Sequence, residues 1–172
     1  MTKRLLKDAL LELMQKQDLV NISVTAVCEA ADVNRSTFYN YYKDPADLLR
    51  EAELDFLDRI PTPPDVLDTQ NQETLLAATA EYFNYIQDNR RTLRTLFSGS
   101  SGSSFTERLV EHLCNGYVYV DESGDELTDR LKCLYIANGT VGMLREWVSR
   151  DSSISSEALA EMMYSLSRKI SH

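Results

Sequence analysis

A short segment in the first third of the chain combines aromatic, basic and hydroxyl side chains that suit contact with nucleic acid. Arg35 and Lys43 flank it, and no acidic residue lies between them. Its aromatic residues, all within five positions, are Phe38, Tyr39, Tyr41 and Tyr42. A guanidinium can donate two hydrogen bonds to guanine, and hydroxyl side chains can contact phosphates. The segment therefore either contacts double-stranded DNA or packs as an ordinary helical hairpin.

Short helices are predicted to position these side chains. The apolar spacing indicates an amphipathic helix over residues 3–16, and Ser23 is a suitable N-cap for a second helix of about two turns. Asp32 is the predicted turn residue, because Asp tolerates left-handed backbone better than most residues. Asn34 then caps a third helix that runs through Tyr41. Two short helices joined by a tight turn form a helix-turn-helix, whose second helix can enter the major groove.

The third helix is predicted to have an inward and an outward face. At about 100° per residue, Phe38 and Tyr42 share one face, which packs inward. Arg35 projects away from that face, and Tyr39 and Tyr41 are expected to present their hydroxyls to solvent. One face therefore belongs to the core, and the other remains available to a partner.

The remainder of the chain is predicted to be helical as well. Asp44 and Pro45 are suited to the start of a fourth helix, and the proline-rich residues 61–72 interrupt the pattern. SGSSGSS, residues 98–104, is interpreted as a loop. Further helices are predicted at about 75–97, 105–120, 126–150 and 156–170. No strand pattern occurs, so the fold is predicted to be all-α.

The predicted organisation has two domains. Residues 1–60 form a three-helix, helix-turn-helix DNA-binding domain with its linking fourth helix, and residues 61–172 form a helical dimerisation and ligand-binding domain. The chain has a net charge of −9. Residues 1–50 contain seven basic and seven acidic side chains, so the whole negative excess lies beyond them. This asymmetry indicates two parts with different partners, and repulsion of the acidic part would turn the first domain toward DNA.

Other classes of protein are not indicated. No apolar run approaches the ~18–20 residues of a membrane span, and the charged start lacks a signal-peptide pattern, which predicts a cytoplasmic protein. The three cysteines have no spacing typical of disulfides or zinc, and we expect them to be buried. His112 and Cys114 would diverge on a helix, so no metal site is predicted. Catalytic motifs are missing, which predicts a protein that is not an enzyme and has no cofactor.

Residues 22–49, ISVTAVCEAADVNRSTFYNYYKDPADLL, resemble the DNA-binding segment of the TetR family of bacterial transcriptional regulators. The positions in register are Ala31, Val33, Thr37, Phe38, Tyr39 and Leu48. The resemblance implies an all-helical, homodimeric regulator in which Arg35 and Ser36 face bases. It also implies that Thr37, Tyr39 and Tyr41 contact backbone or base edges and that Thr25 lies beside a phosphate. With these, the predicted DNA-contacting set also includes Asn40 and Lys43.

Three residues depart from the family pattern. Asp32 stands where the family usually has Gly, and Tyr41 replaces a common His. Pro45 replaces a Lys that commonly contacts a phosphate, so Lys43 or the dipole of the fourth helix must supply that contact.

YIANGTVGMLREWVSR, residues 135–150, resembles the C-terminal region of a subgroup of the family. The resemblance implies a homodimer in which the last two helices pair with their symmetry mates, where Gly139 and Gly142 would allow close approach. Packing of these helices within one chain is the alternative. Aromatic residues that could line an effector pocket, or simply form the core, are Tyr82, Phe83, Tyr85, Phe97, Tyr117, Tyr119 and Trp147.

These observations predict a bacterial regulator that binds operator DNA as a homodimer and whose DNA affinity is controlled by a small-molecule effector. The alternative is a DNA-binding co-regulator or activator whose C-terminal domain senses a protein partner.

Overall fold

The computed structural model describes residues 1–61, 72–99, 101–116, 125–150 and 154–170. Within these ranges the regular structure is entirely helical, which confirms the predicted all-α fold. The first four helices are α1 Thr2–Met14, α2 Val24–Ala31, α3 Arg35–Tyr39 and α4 Pro45–Arg59. The following five are α5 Gln72–Asp88, α6 Arg90–Leu96, α7 Gly102–Gly116, α8 Glu126–Ser149 and α9 Ser156–Ile170. In the described part of the chain, no helix is long and apolar enough to cross a membrane.

The chain divides into two compact units. The first comprises Met1–Arg59 together with Thr95–Phe105. The second comprises the described residues from Ile60 to Arg94 and from Thr106 onward. Aromatic packing explains why residues 95–105 belong to the first unit. The ring of Phe105 lies 6.2 Å from that of Phe56 and 5.3 Å from that of Phe97.

In the first unit, α1 packs against α2 and α4, and α2 packs against α3. Its core contains side chains with no exposed surface, namely Leu6, Leu10, Val27, Phe38 and Leu48. Burial of these side chains supplies most of the stabilisation of so small a unit, at ~25 cal/mol per Å² of apolar surface removed from water. The position of α3 therefore depends on Phe38, which joins this short helix to the core.

In the second unit, α5 packs against α9. Apolar side chains buried there include Phe83, Ile86, Leu109, Leu113, Leu144 and Trp147. Two arginines of α6 cap the C-terminal end of α8: Arg90 Nε and Arg94 Nε lie 3.1 Å and 2.9 Å from the carbonyl oxygen of Val148. These bonds satisfy a carbonyl group that lacks a partner within its own helix, and the positive charges suit the helix dipole.

Three predictions about helix boundaries were wrong. The first helix was predicted to run to residue 16, but it ends at Met14. The third helix ends at Tyr39 rather than at Tyr41. Residues 98–104 were predicted to be a loop, but α7 begins at Gly102. A Cβ at Gly102 would collide with the carbonyl oxygen of Phe97, so a glycine is needed where the chain turns into this helix.

Several large apolar side chains of α8 and α9 are exposed. Leu127 and Leu131 are 65% and 57% exposed on α8, and Met162 and Leu166 are 44% and 46% exposed on α9. The buried side of α8 is instead formed by Cys133, Ala137, Thr140, Val141, Leu144, Trp147 and Val148. Apolar residues occur around most of α8, so their spacing alone did not identify the side that faces the core of the same chain. All three cysteines are buried, as predicted.

Candidate DNA-binding site

Local side-chain chemistry sets the geometry of the α2–turn–α3 segment. The Ser23 hydroxyl accepts a hydrogen bond from the backbone N–H of Ala26 at 3.1 Å and caps α2. Asp32 ends that helix in the left-handed region, with φ 52° and ψ 46°. The Asn34 side chain then caps α3 by accepting from the backbone N–H of Thr37 at 2.9 Å. The predicted roles of these three residues are confirmed, and together they form the helix-turn-helix.

Asn34 also orients two hydroxyl groups of the predicted site. Its Oδ1 accepts hydrogen bonds from Ser36 Oγ at 2.7 Å and from Thr37 Oγ1 at 2.9 Å. A hydroxyl has one proton to donate and can still accept through its lone pairs. Ser36 and Thr37 are therefore held as acceptors, and donation to a phosphate would require them to leave Asn34.

The side chains of α3 and of the turn that follows it divide as the sequence predicted. Phe38 has no exposed surface and Tyr42 is 3% exposed, whereas Tyr39 and Tyr41 are 53% and 47% exposed. Arg35 is also exposed. The Phe38 ring lies 5.7 Å from Tyr39 and 5.8 Å from Tyr42, so the buried ring supports both. The helix thus has one face in the core and one face in solvent.

The other predicted DNA-contacting residues also lie in the first unit. Thr25 is exposed in the first turn of α2, and Asn40 and Lys43 are exposed just after α3. The backbone N–H of Lys43 donates to Asp47 Oδ2 at 3.1 Å, which fixes the main chain next to its exposed side chain. Seven of the eight predicted DNA-contacting residues therefore lie on α3 or in the turn after it, and the eighth, Thr25, lies on α2.

An ion-pair network that the sequence analysis missed connects α1 with α4. Lys3 Nζ lies 3.1 Å from Glu51, Lys7 Nζ lies 3.0 Å from Glu51, and Lys7 also pairs with Asp55. Burial disfavours the charged form of Lys7, but the bonds to Asp55 and Glu51 outweigh it and raise the pKa of Lys7. The four-residue spacing of the like charges places each pair on one face of its helix, but it does not show which helix that face meets.

The same network extends to the aromatic cluster. Lys3 Nζ lies 5.6 Å from the ring centroids of both Tyr41 and Tyr42. Burial raises the pKa of the Tyr42 hydroxyl, and the neighbouring Glu51 carboxylate raises it further. Tyr42 therefore remains protonated. Its buried ring packs against the ring of the exposed Tyr41.

In the second unit, the structure separates the aromatic residues predicted to bind an effector. Tyr82 and Phe83 pack with ring centroids 5.3 Å apart, and Phe83 packs on Trp147 at 6.0 Å. These three are buried, and Tyr85 is half-buried. Phe97 belongs to the first unit instead, and Tyr117 and Tyr119 lie outside the described residues. An effector role for these seven residues stays a prediction.

A groove of about 630 Å³ lies on the exposed side of α8 and α9. It is lined by Leu134, Tyr135, Ile136, Asn138, Gly139, Thr140, Met143, Met163 and Leu166. None of the described aromatic candidates for effector binding is among them. The groove is mainly apolar, and it adjoins the exposed leucines and methionine of the same two helices.

Residues 73–169 match the family model of the transcriptional regulator C-terminal region of TetR type. The chain belongs to the TetR family of transcriptional regulators. This finding comes from a region different from the helix-turn-helix that suggested the family, and it confirms the resemblance. Membership of the TetR family also makes the chain a regulator rather than an enzyme, as predicted.

Relatives of this TetR family member support the assignment. DhaS of Lactococcus lactis, a transcriptional activator of the dhaKLM operon, is 26% identical over 160 residues, which cover 89% of this chain and 82% of DhaS. The solved structure of a dihydroxyacetone kinase operon activator DhaS has a TM-score of 0.67 and 20% identity, covering 99% of this chain and 96% of its own. A TetR regulator from Streptococcus agalactiae has a TM-score of 0.70 and 20% identity, with coverages of 96% and 93%. The structural matches show that the fold is shared.

Proposed function

We propose that this TetR family regulator binds operator DNA as a homodimer and that an effector controls its DNA affinity. The first domain, residues 1–60, contacts DNA through Arg35, Ser36, Thr37, Tyr39, Asn40, Tyr41 and Lys43, with Thr25 beside a phosphate. The second domain, residues 61–172, forms the dimer and receives the effector.

The division of side chains on α3 carries this proposal. The five-residue helix α3 has Phe38 in the core and presents Arg35 and Tyr39 to solvent. An exposed arginine can donate to guanine O6 and N7 in the major groove, and a tyrosine can contact a phosphate or a thymine methyl. DNA contact requires both side chains to be accessible, and both are exposed.

The exposed apolar face of α8 and α9 supports the homodimer. Leu127, Leu131 and Tyr135 are 65%, 57% and 67% exposed, and they recur along one side of α8. A Cβ placed at Gly139 or Gly142 would meet no atom within 4 Å, so both glycines leave open space on that side. A second copy related by two-fold symmetry would cover this face and the groove beside it.

A dimer also meets a geometric need of the recognition helix. A helix as short as α3 contacts only a few base pairs, whereas two helices in a symmetric dimer can occupy half-sites about 34 Å apart along the duplex. An effector would then act by shifting the population between dimers with different separations of these helices.

The alternative is an activator or co-regulator whose second domain senses a protein partner. Two observations favour it. Tyr82, Phe83 and Trp147 pack against one another rather than lining the groove. The related DhaS of L. lactis is named as an activator.

Fluorescence anisotropy with the DNA upstream of the gene tests DNA binding and the roles of the site residues. We expect Arg35→Ala to lose ~1–3 kcal/mol of discrimination at a guanine of the site. Lys43→Ala should weaken binding to all sequences alike. It should reduce the steepness of log affinity against log salt by about 1.8, because each of the two protomers loses one phosphate contact worth about 0.9. Equal effects of both substitutions on discrimination would contradict the assigned roles. Failure of the wild-type protein to prefer this DNA over unrelated competitor would overturn the proposed operator.

The same assay separates the two kinds of effector. Cell extract is divided by dialysis into a small-molecule fraction and a retained fraction, and part of the retained fraction is treated with protease. Control by a small molecule predicts that the dialysable fraction changes DNA affinity. A change caused only by the retained fraction, and abolished by protease, would support the protein-partner alternative instead.

A further inference from the structure

Lys3 connects α1 with α4 and with the turn after α3. Its ammonium group lies 3.1 Å from a Glu51 carboxylate oxygen on α4 and 5.6 Å from the ring centroid of Tyr41 after α3. It lies at the same 5.6 Å distance from the ring of the buried Tyr42. Distances within ~6 Å of a ring centroid are typical of cation–π interactions.

Tyr41 lies outside regular structure. The helix ends at Tyr39, and the Tyr41 side chain lies in the following turn, 47% exposed. Its backbone N–H donates to the carbonyl of Phe38 at 3.0 Å, which fixes the main chain but not the ring. The Tyr42 ring, 6.2 Å away, supports one side of it. Lys3 supplies a second, electrostatic contact from a different helix.

The charge of Lys3 is already engaged. Both Glu51 carboxylate oxygens lie within 3.2 Å of its ammonium group, and Lys7 shares the same carboxylate. A phosphate contact by Lys3 would have to compete with this network. The geometry therefore favours an indirect contribution over a direct one.

We infer that Lys3 is a positioning residue for DNA binding, which holds the Tyr41 ring in the orientation that contacts the operator. This inference rests on the proposed function, in which Tyr41 contacts DNA. Helix α1, which lies outside the helix-turn-helix, would then contribute to DNA recognition through Lys3. The ion pair with Glu51 holds the Lys3 ammonium group in place.

A double-mutant cycle in DNA affinity tests the inference. Lys3→Met retains the apolar stem but removes the charge, and Tyr41→Ala removes the ring. We expect Lys3→Met to weaken binding of the dimer about 5- to 30-fold, because each protomer loses an exposed cation–π contact worth about two- to five-fold. It should have no further effect in the Tyr41→Ala background. Lys3→Arg should retain most of the affinity. The control is Lys16→Met, which removes an exposed charge from the same unit. Lys3→Met should change the slope of log affinity against log salt no more than this control does.

Two outcomes would overturn the inference while the proposed function stands. One is that the effects of Lys3→Met and Tyr41→Ala are additive. The other is that Lys3→Met lowers the steepness of the salt dependence by about 1.8 relative to the control, as loss of one direct phosphate contact in each protomer would. Absence of DNA binding by the wild-type protein would instead overturn the proposed function, and this inference with it. Circular dichroism of each variant shows whether a loss of affinity reflects unfolding.

Discussion

Phe38→Ala is expected to lower the free energy of unfolding of the first unit by ~3–5 kcal/mol. The Phe38 side chain has no exposed surface and contacts the rings of both Tyr39 and Tyr42. Its removal leaves a cavity beneath a helix of only five residues, which has little other attachment to the core. We therefore expect the loss of α3 as an ordered element and, with it, the loss of specific DNA binding.

Hydrogen exchange of the amides in residues 1–59 is the suitable measurement, because the two units could unfold separately. The matched control is Tyr39→Ala, which removes the adjacent but 53% exposed ring. That change should reduce stability by only ~0.5–1.5 kcal/mol, the value of an aromatic pair, while it weakens DNA binding. Equal destabilisation by the two substitutions would contradict the division of α3 into a core face and a DNA-contacting face.

Gly139→Leu is expected to prevent dimerisation while leaving the protomer folded. A Cβ at this position meets nothing within 4 Å in a single chain, and leucine favours a helix over glycine by roughly 0.8–1 kcal/mol. In the proposed dimer the same side chain would intrude between close helices. Overpacking costs about 1–3 kcal/mol at each site, and two-fold symmetry applies it twice.

Sedimentation equilibrium of the wild-type protein and of Gly139→Leu measures this effect. The control is Glu111→Leu, which adds the same side chain at an exposed position of α7 that does not line the groove. We expect a dimer for the wild type and for the control, and a monomer with unchanged helical content for Gly139→Leu. A dimer of undiminished affinity in the Gly139 variant would show that α8 does not form the interface at this position.

The sequence predicted those features of the fold that depend on neighbouring residues. Ser23 and Asn34 cap their helices, and Asp32 adopts the left-handed turn, because each acts on backbone groups within a few positions. Phe38 and Tyr42 were assigned to the core by helical spacing alone. The third helix was predicted to be two residues too long, since its aromatic pattern continues past the last helical residue, Tyr39.

Features that depend on distant residues were not predictable in this way. The ion pairs of Lys3 with Glu51 and of Lys7 with Asp55 each join residues 48 positions apart. On α8, apolar side chains occur both in the core, such as Leu144, and on the exposed side, such as Leu131. Periodicity identifies that helix, but only packing shows which side the same chain covers.

Hydroxyl-radical footprinting of the wild-type protein on its upstream DNA tests the central claim most directly. The claim is that two copies of α3, held in one symmetric dimer, contact one face of the duplex. We predict two protected segments of similar sequence, related by two-fold symmetry and centred about one helical turn, ~34 Å, or a multiple of it apart. Arg35→Ala should weaken the protection of both segments together at equal protein concentration. A single protected segment, or two segments whose protection is unchanged when Arg35 is replaced, would contradict the account.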